Sequence, residues 1–227
     1  MKKPTLFDHG LNAPSGPDFS LERAMMGRLS HSGAIHIAGV DEVGRGPLAG
    51  PVVAAAVILD PAHIPDGLMD SKKLTDRRRR DLAVHIRENA LATAVAEASV
   101  AEIDQLNIRA ASLLAMRRAV AALDPTPHGA LVDGNADPAL PCPTDLVIKG
   151  DGRAVSIAAA SILAKIFRDD LMRDLATRWP HYGWERNAGY GVPAHLNALR
   201  LVGVSPHHRR SFAPIRQILD EENLPLD

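Results

Sequence analysis

Val40-Asp41-Glu42-Val43-Gly44-Arg45-Gly46-Pro47 joins two apolar runs, residues 35–43 and 51–59, each bounded by glycine or proline as strands are. Two adjacent carboxylates at the end of an apolar strand are costly to bury as ions unless a cation or hydrogen-bond donors compensate them. A cation held at this strand end is one outcome; a solvated strand end, with glycines that merely turn the chain, is the other. Gly44-x-Gly46-x-x-x-Gly50 also imitates a dinucleotide-binding loop. Charge rejects that comparison: Asp41 and Glu42 would face the pyrophosphate, and Pro51-Val52-Val53 continues as strand where a helix N-terminus should receive the anion. A divalent metal between carboxylate and phosphate removes the repulsion, so acids beside Gly-Arg-Gly fit metal-bridged phosphate chemistry.

Working outward, residues 91–98 form a candidate third strand, and residues 130–133 and 145–148 are short apolar runs, each ending near an acid and a glycine. Thr75 is a plausible N-cap for a helix to about Asn89. Residues 107–123 and 155–178 carry helical apolar periodicity, and Pro180 stops the second run. Residues 194–201 and 213–219 read as short terminal helices. Strands first, then alternating helix and strand, then helices, indicate an α/β layer with a mixed sheet.

Composition suits one globular domain: of 227 residues, 46% are apolar and 23% charged. Residues 1–33, rich in Gly, Pro, Ser and His, read as a loose or partly helical N-terminal extension. Residues 34–227 read as the main folded domain, with C-terminal helices and an acidic tail. The uncharged stretch 46–59 contains two prolines and is shorter than the roughly 20 apolar residues of a membrane helix. Met1-Lys2-Lys3 is followed by Pro4, Asp8, His9 and Gly10, where a secretory signal would need an apolar run. With a single cysteine, Cys142, which can form neither an internal disulfide nor a cysteine metal cage, a cytoplasmic protein is expected. Net charge is −1, yet residues 151–216 hold ten Lys/Arg against five Asp/Glu and four histidines. Such a segment either meets a polyanion or forms a solvated face.

Asp133, in Leu131-Val132-Asp133-Gly134-Asn135, and Asp151, in Ile148-Lys149-Gly150-Asp151-Gly152, each follow a short apolar run. Either alone reads as a turn aspartate. With Asp41 and Glu42 they can form an oxygen-rich pocket at one sheet rim, suited to Mg²⁺ or Mn²⁺. Successive side chains of a strand point to opposite faces, so a strand terminus, a bulge eased by Gly44, or an indirect contact is needed to bring Asp41 and Glu42 to one site.

These motifs, in order, resemble the type 2 ribonuclease H (ribonuclease HII) family. The match spans about Ile35 to Leu219 and also rests on Asp70-Ser71-Lys72-Lys73-Leu74, Ser156 to Lys165, Gly189-Tyr190-Gly191 and His208-Arg209-Arg210-Ser211-Phe212. The resemblance implies a ribonuclease H-like α/β fold with a mixed five-stranded sheet flanked by helices and a C-terminal helical portion. It implies cleavage of RNA paired to DNA, including 5′ of a single ribonucleotide embedded in duplex DNA. It places the four catalytic, metal-binding acids on Asp41, Glu42, Asp133 and Asp151. The loop that reads the ribose 2′-hydroxyl falls on Gly44-Arg45-Gly46, and the tyrosine that stacks on the next sugar on Tyr190. Where the family often has Lys and Thr, this chain has Ala188 and Val192.

Two divalent ions, Mg²⁺ or Mn²⁺, would activate water and stabilise the leaving oxygen, Asp41 bridging them, Asp133 and Asp151 completing separate shells and Glu42 positioning metal or water. The products would carry a 3′-hydroxyl and a 5′-phosphate. Lys72, Lys73, Lys165, Arg209 and Arg210 are candidate phosphate contacts, with Lys165 also able to pair with an acid at the metal site. His208 fits a structural role better than a catalytic one. The expected partners are RNA–DNA hybrid and DNA with embedded ribonucleotides, met by a monomer and without a membrane. A junction-resolving or transposase-like nuclease on the same fold would cleave all-DNA junctions instead, and a non-catalytic binding module would bind duplex without metal-dependent cleavage.

Overall fold

The computed structural model describes residues 16–29 and 33–222. The remainder of the N-terminal extension, including the stretch read against a secretory signal, and the end of the acidic tail lie outside the described residues. Among the described residues, eight α-helices and five strands follow one another as α1 (Ser20–Arg28), β1 (Ile37–Val43), β2 (Val52–Leu59), α2 (Asp76–Asn89), β3 (Ala90–Ala98), α3 (Val100–Leu106), α4 (Ile108–Ala121), β4 (Gly129–Asp133), β5 (Thr144–Val147), α5 (Val155–Arg178), α6 (Trp184–Asn187), α7 (Pro193–Val202) and α8 (Ala213–Glu222). The sheet order is β3-β2-β1-β4-β5. β1 pairs antiparallel with β2 and parallel with β4, which in turn runs parallel to β5. Three consecutive strands thus end at one rim, the usual place for a ligand on a sheet with parallel strands.

Burial follows from alternation. Ala38 and Val40 face one side of β1 and join Ile103, Ala111, Ala115 and Met116 of α3 and α4. Val53, Ala55 and Val57 of β2 face the other side and meet Leu82 and Ile86 of α2 together with α5. Gly39 permits α5 to lie directly on β1, because a Cβ there would fall 2.1 Å from the backbone carbon of Ser156. That close approach puts the middle of α5 beside the acids at the strand end.

Some of the expected elements shift in detail. Thr75 does cap α2, its hydroxyl accepting from Arg78 N–H. The helix expected over 107–123 is α4, and Asn107, at φ 72°, is its N-cap; the same residue separates it from the short helix α3, which the apolar period did not indicate. The N-terminal extension, read as loose or partly helical, contains the helix α1, which packs on the sheet: Met25 is buried with Ile37, Leu131 and Val147.

The C-terminal helical portion has its own core around Trp184, Leu199 and Ile215, backed by Met172 and Leu175 of α5. Inside it His208 Nδ1 accepts from Ser205 N–H at 3.0 Å, so its proton sits on Nε2, 3.0 Å from Nε2 of His195. His195 in turn uses Nδ1 to bond the Tyr190 carbonyl at 2.9 Å. Both imidazoles are neutral. Burial, reinforced by His195, pushes His208 down to about 3, and burial lowers His195 too. Since an unfolded histidine titrates near 6.5, the unfolded chain binds the extra proton between these limits. Stability is therefore full above pH 6.5 and falls with pH by about 1.4 kcal/mol per unit from His208 alone. Urea unfolding of the wild type and His208→Gln between pH 5 and 7 is expected to give a shallower pH slope for the variant; parallel slopes would contradict a neutral buried imidazole.

Candidate active site

Asp41, Glu42, Asp133 and Asp151 line one cavity of about 330 Å³, with Gly44, Arg45, Gly46, Ser71, Lys72, Ser161, Lys165 and Tyr190. β1 supplies the first pair. Its register with β2 runs unbroken from Ala38↔Ile58 to Val43↔Val53, so no bulge brings the two acids together. They reach the same space because β1 ends there. Asp41 faces α5, where the nearby Ser161 hydroxyl favours its ionised form, and Glu42 faces the α4 side, where it also lines a smaller recess with Ser112 and Met116. Asp133 ends β4 and accepts from Gly150 N–H at 2.6 Å, which ties it to the short 3₁₀ turn Gly150–Gly152 that carries Asp151.

The charge in this cavity is poorly neutralised. Asp41 is 6% exposed; burial, then the neighbouring Glu42 and Asp133, push its carboxyl well above the usual carboxylate range. Burial raises Glu42 as well, against the pull of Arg45, whose Nη1 donates to Glu42 Oε1 at 3.2 Å. Glu42 Oε2 is buried without a partner. Asp151 is raised by burial and by Asp70 and Asp133. Lys165 bonds Asp169 at 2.6 Å, one turn along α5, and so is spent away from the four acids.

An all-oxygen donor set, an orphaned carboxylate oxygen and space beside it fit hard divalent cations. Among the described residues, no three acid, imidazole or thiol groups already converge on one ion.

The remaining candidates divide. Lys72 lines the cavity, whereas Lys73 and Arg210 are exposed and do not. The Arg210 backbone N–H donates to Asp104. Arg209 is not placed to touch phosphate. It is 0% exposed, and its guanidinium donates to the carbonyls of Gly44, Arg45, Gly50 and Pro51. Arg168, equally buried, donates to the carbonyls of Ala49, Pro51 and Ala188. Among the described residues no carboxylate pairs with either; burial lowers Arg168 to about 10 and Arg209 to about 9. Gly44, at φ +95°, is required here, since a Cβ would lie 2.2 Å from Arg168 Nε. The two arginines thus fasten the Gly-Arg-Gly loop to the turn before Tyr190, whose ring stands beside Gly46.

Arg168 carries no signal in the sequence, and Asp70, Ser71 and Ser161 stand there only as members of motifs, without a role. Ser71 and Ser161 hydroxyls lie 3.0 Å apart, and Asp70 caps the 3₁₀ turn Ser71–Lys73 through Lys72 N–H. Val192, where the family often has Thr, is the N-cap of α7 and offers no side-chain bond, so the missing hydroxyl is a helix cap.

Acids grouped at the rim of such a sheet, with a backbone-exposing loop next to them, define a metal-dependent nuclease of the ribonuclease H type. Comparison with known proteins agrees. Residues 38–215 match the family profile described as Ribonuclease HII. A Ribonuclease HII of Ruegeria pomeroyi is 62% identical over 207 residues, 91% of this chain and 86% of that protein. The crystal structure of the ribonuclease H2 from Pyrococcus horikoshii OT3 superposes with a TM-score of 0.72 at 26% identity, covering 82% of this chain and 98% of that one. Bst-RNase HIII, solved in complex with Mn²⁺, has the same fold at a TM-score of 0.64 and 22% identity, covering 84% of this chain and 71% of its own. The chain belongs to the ribonuclease HII family, and is accordingly a metal-dependent endoribonuclease of RNA–DNA hybrids.

Removing Arg209 separates a structural anchor from a phosphate contact. Arg209→Ala leaves four loop carbonyls without their donor and is expected to lower unfolding free energy by about 3 kcal/mol or more in urea titration. Unchanged stability with weaker, more salt-sensitive hybrid binding would restore it as a phosphate contact.

Proposed function

We propose that the protein, besides cutting the RNA strand of hybrids, nicks duplex DNA on the 5′ side of a single embedded ribonucleotide, leaving a 3′-hydroxyl and a 5′-phosphate. The observation that carries this proposal is the sharing of one cavity by four carboxylates, a Gly-Arg-Gly loop and the Tyr190 ring. Asp41, Asp133, Asp151 and Glu42 are the residues to hold the cations. Two divalent ions, Mg²⁺ or Mn²⁺, supply when bound the activated water and the neutralisation of the leaving oxygen. Asp41, common neighbour of Glu42 and Asp133, would be the shared ligand, and Asp133 and Asp151, linked through Gly150, would complete the separate shells. Glu42, with one oxygen held by Arg45 and one unpartnered, positions metal or water.

RNA differs from DNA by one hydroxyl that is both donor and acceptor. Gly44 and Gly46 allow the backbone to approach it, and Tyr190, 46% exposed, offers a flat face to a deoxyribose while crowding a 2′-oxygen. Arg45 and Lys72 are the phosphate contacts inside the cavity, and Lys73 and Arg210 extend the basic surface. The catalytic unit is residues 34–227, acting as a monomer in the cytoplasm. A single cysteine suits that reducing compartment. Among the described residues, no helix is long and apolar enough to cross a membrane.

A labelled duplex with one ribonucleotide, incubated with Mg²⁺, Mn²⁺ or chelator, should be cut 5′ of the ribonucleotide only with metal. Asp41→Asn should slow that cut about 10³-fold, the equivalent of roughly 4 kcal/mol; a rate near wild type would end its assignment. Tyr190→Ala should lose preference for the RNA-to-DNA junction while still binding duplex. Equal loss on all-RNA hybrid and single-ribonucleotide substrates would contradict its role at the junction.

A further inference from the structure

We propose that α1, which lies before the residues matched by the family profile, braces the segment carrying Asp151, with Glu22 as its positioning residue. The inference rests on Asp151 serving as a metal ligand. α5 starts at Val155 behind Ala154, whose side chain cannot cap it, so the first amides of a long helix need partners from elsewhere. Glu22 supplies one across 134 positions of sequence: its Oε1 accepts from Ser156 N–H at 2.8 Å and from the Ser156 hydroxyl at 2.6 Å. A second attachment lies one residue earlier. Val155 N–H donates to the Asp18 carbonyl at 3.2 Å and Asp18 N–H to the Arg153 carbonyl at 3.4 Å, pairing Asp18 with Ala154 as an isolated bridge. Met25 then fills the space beneath, buried with Ala154 and Ile157.

Residues 150–156 are therefore held from both sides. Gly150 is bound by Asp133, and residues 153–156 are bound by α1 and the turn before it. Asp151 sits between the two attachments. The same helix, α5, carries Ser161 and Lys165 into the cavity and Arg168 beneath the Gly-Arg-Gly loop.

Stability alone does not explain a glutamate here. Glu22 is 0% exposed and its Oε2 has no partner, and an unsatisfied buried oxygen costs free energy that an apolar side chain would not. What the carboxylate provides is direction, since it fixes one helix terminus through two bonds. Burial pushes the Glu22 carboxyl up despite the two Ser156 donors. A neutral amide oxygen in its place accepts the same bonds, which makes Gln the conservative replacement.

The test compares full-length wild type, Glu22→Met, Glu22→Gln and Asp151→Asn by amide hydrogen exchange without metal and by cleavage of an RNA–DNA hybrid over a Mn²⁺ series. Glu22→Met fills the volume without an acceptor. It should speed exchange about tenfold in residues 150–158 but not in β2, and raise the Mn²⁺ concentration for half-maximal cleavage about tenfold with little change in KM for hybrid. Glu22→Gln should restore both. Faster exchange spread evenly over the chain, or wild-type exchange at 150–158, would overturn the brace. If Glu22→Met does not fold, Ser156→Ala removes one of the two donors and must show the same local pattern. Wild-type cleavage by Asp151→Asn would instead overturn the ligand assignment, leaving the exchange result to judge the brace by itself.

Discussion

Negative charge crowded into a space of low dielectric is the constraint on which this molecule is built. Asp41 is buried at a strand end with Glu42 and Asp133 for neighbours, and both burial and repulsion oppose its ionisation. Such a group is tolerated only when the surrounding framework is rigid and a counter-charge arrives. The framework is the rim where β1, β4 and β5 end side by side. Its rigidity comes from α5, which Gly39 admits to direct contact with β1. The protein supplies only part of the counter-charge: Lys165 pairs with Asp169, Arg45 satisfies one oxygen of Glu42, and Lys72 offsets only part of what raises Asp151.

Positive charge is handled in the opposite way. Arg168 and Arg209 are buried without acids and spend their donors on seven bonds to backbone carbonyls of residues 44–51 and 188. A carboxylate partner would have neutralised them more simply, but it would have set another negative charge close to the cavity. Carbonyl ligation holds the loop and leaves a cationic background behind a surface meant for a polyanion. The loop beside the acids and the turn that presents Tyr190 thereby share one pair of anchors.

Much of this was legible in the chain. Strand periods, the Thr75 cap and the acids placed after apolar runs follow local rules, and local rules survive folding. The start of α3 was also readable, because Ser99 and Glu102 form a capping box, although a helix of seven residues carries too little apolar period to stand out. Arg209 was not readable. In a basic run it looks like any phosphate contact, and only the tertiary structure shows its head turned inward to four carbonyls. Glu22 was hidden for the same reason, its partner Ser156 being far away in sequence. The meeting of Asp41 and Glu42 at one cavity from opposite faces of a regular strand depends on where β1 stops, and strand ends are the least certain part of any pattern.

The most direct measurement is anomalous diffraction from crystals of the protein soaked in Mn²⁺. The structure calls for anomalous density inside the cavity, within coordination distance of Asp41 and of Asp133 or Asp151, which is lost in Asp41→Asn crystals. Mn²⁺ bound only elsewhere, with Asp41 left uncoordinated beside Glu42, would contradict the view that these four acids exist to hold a cation.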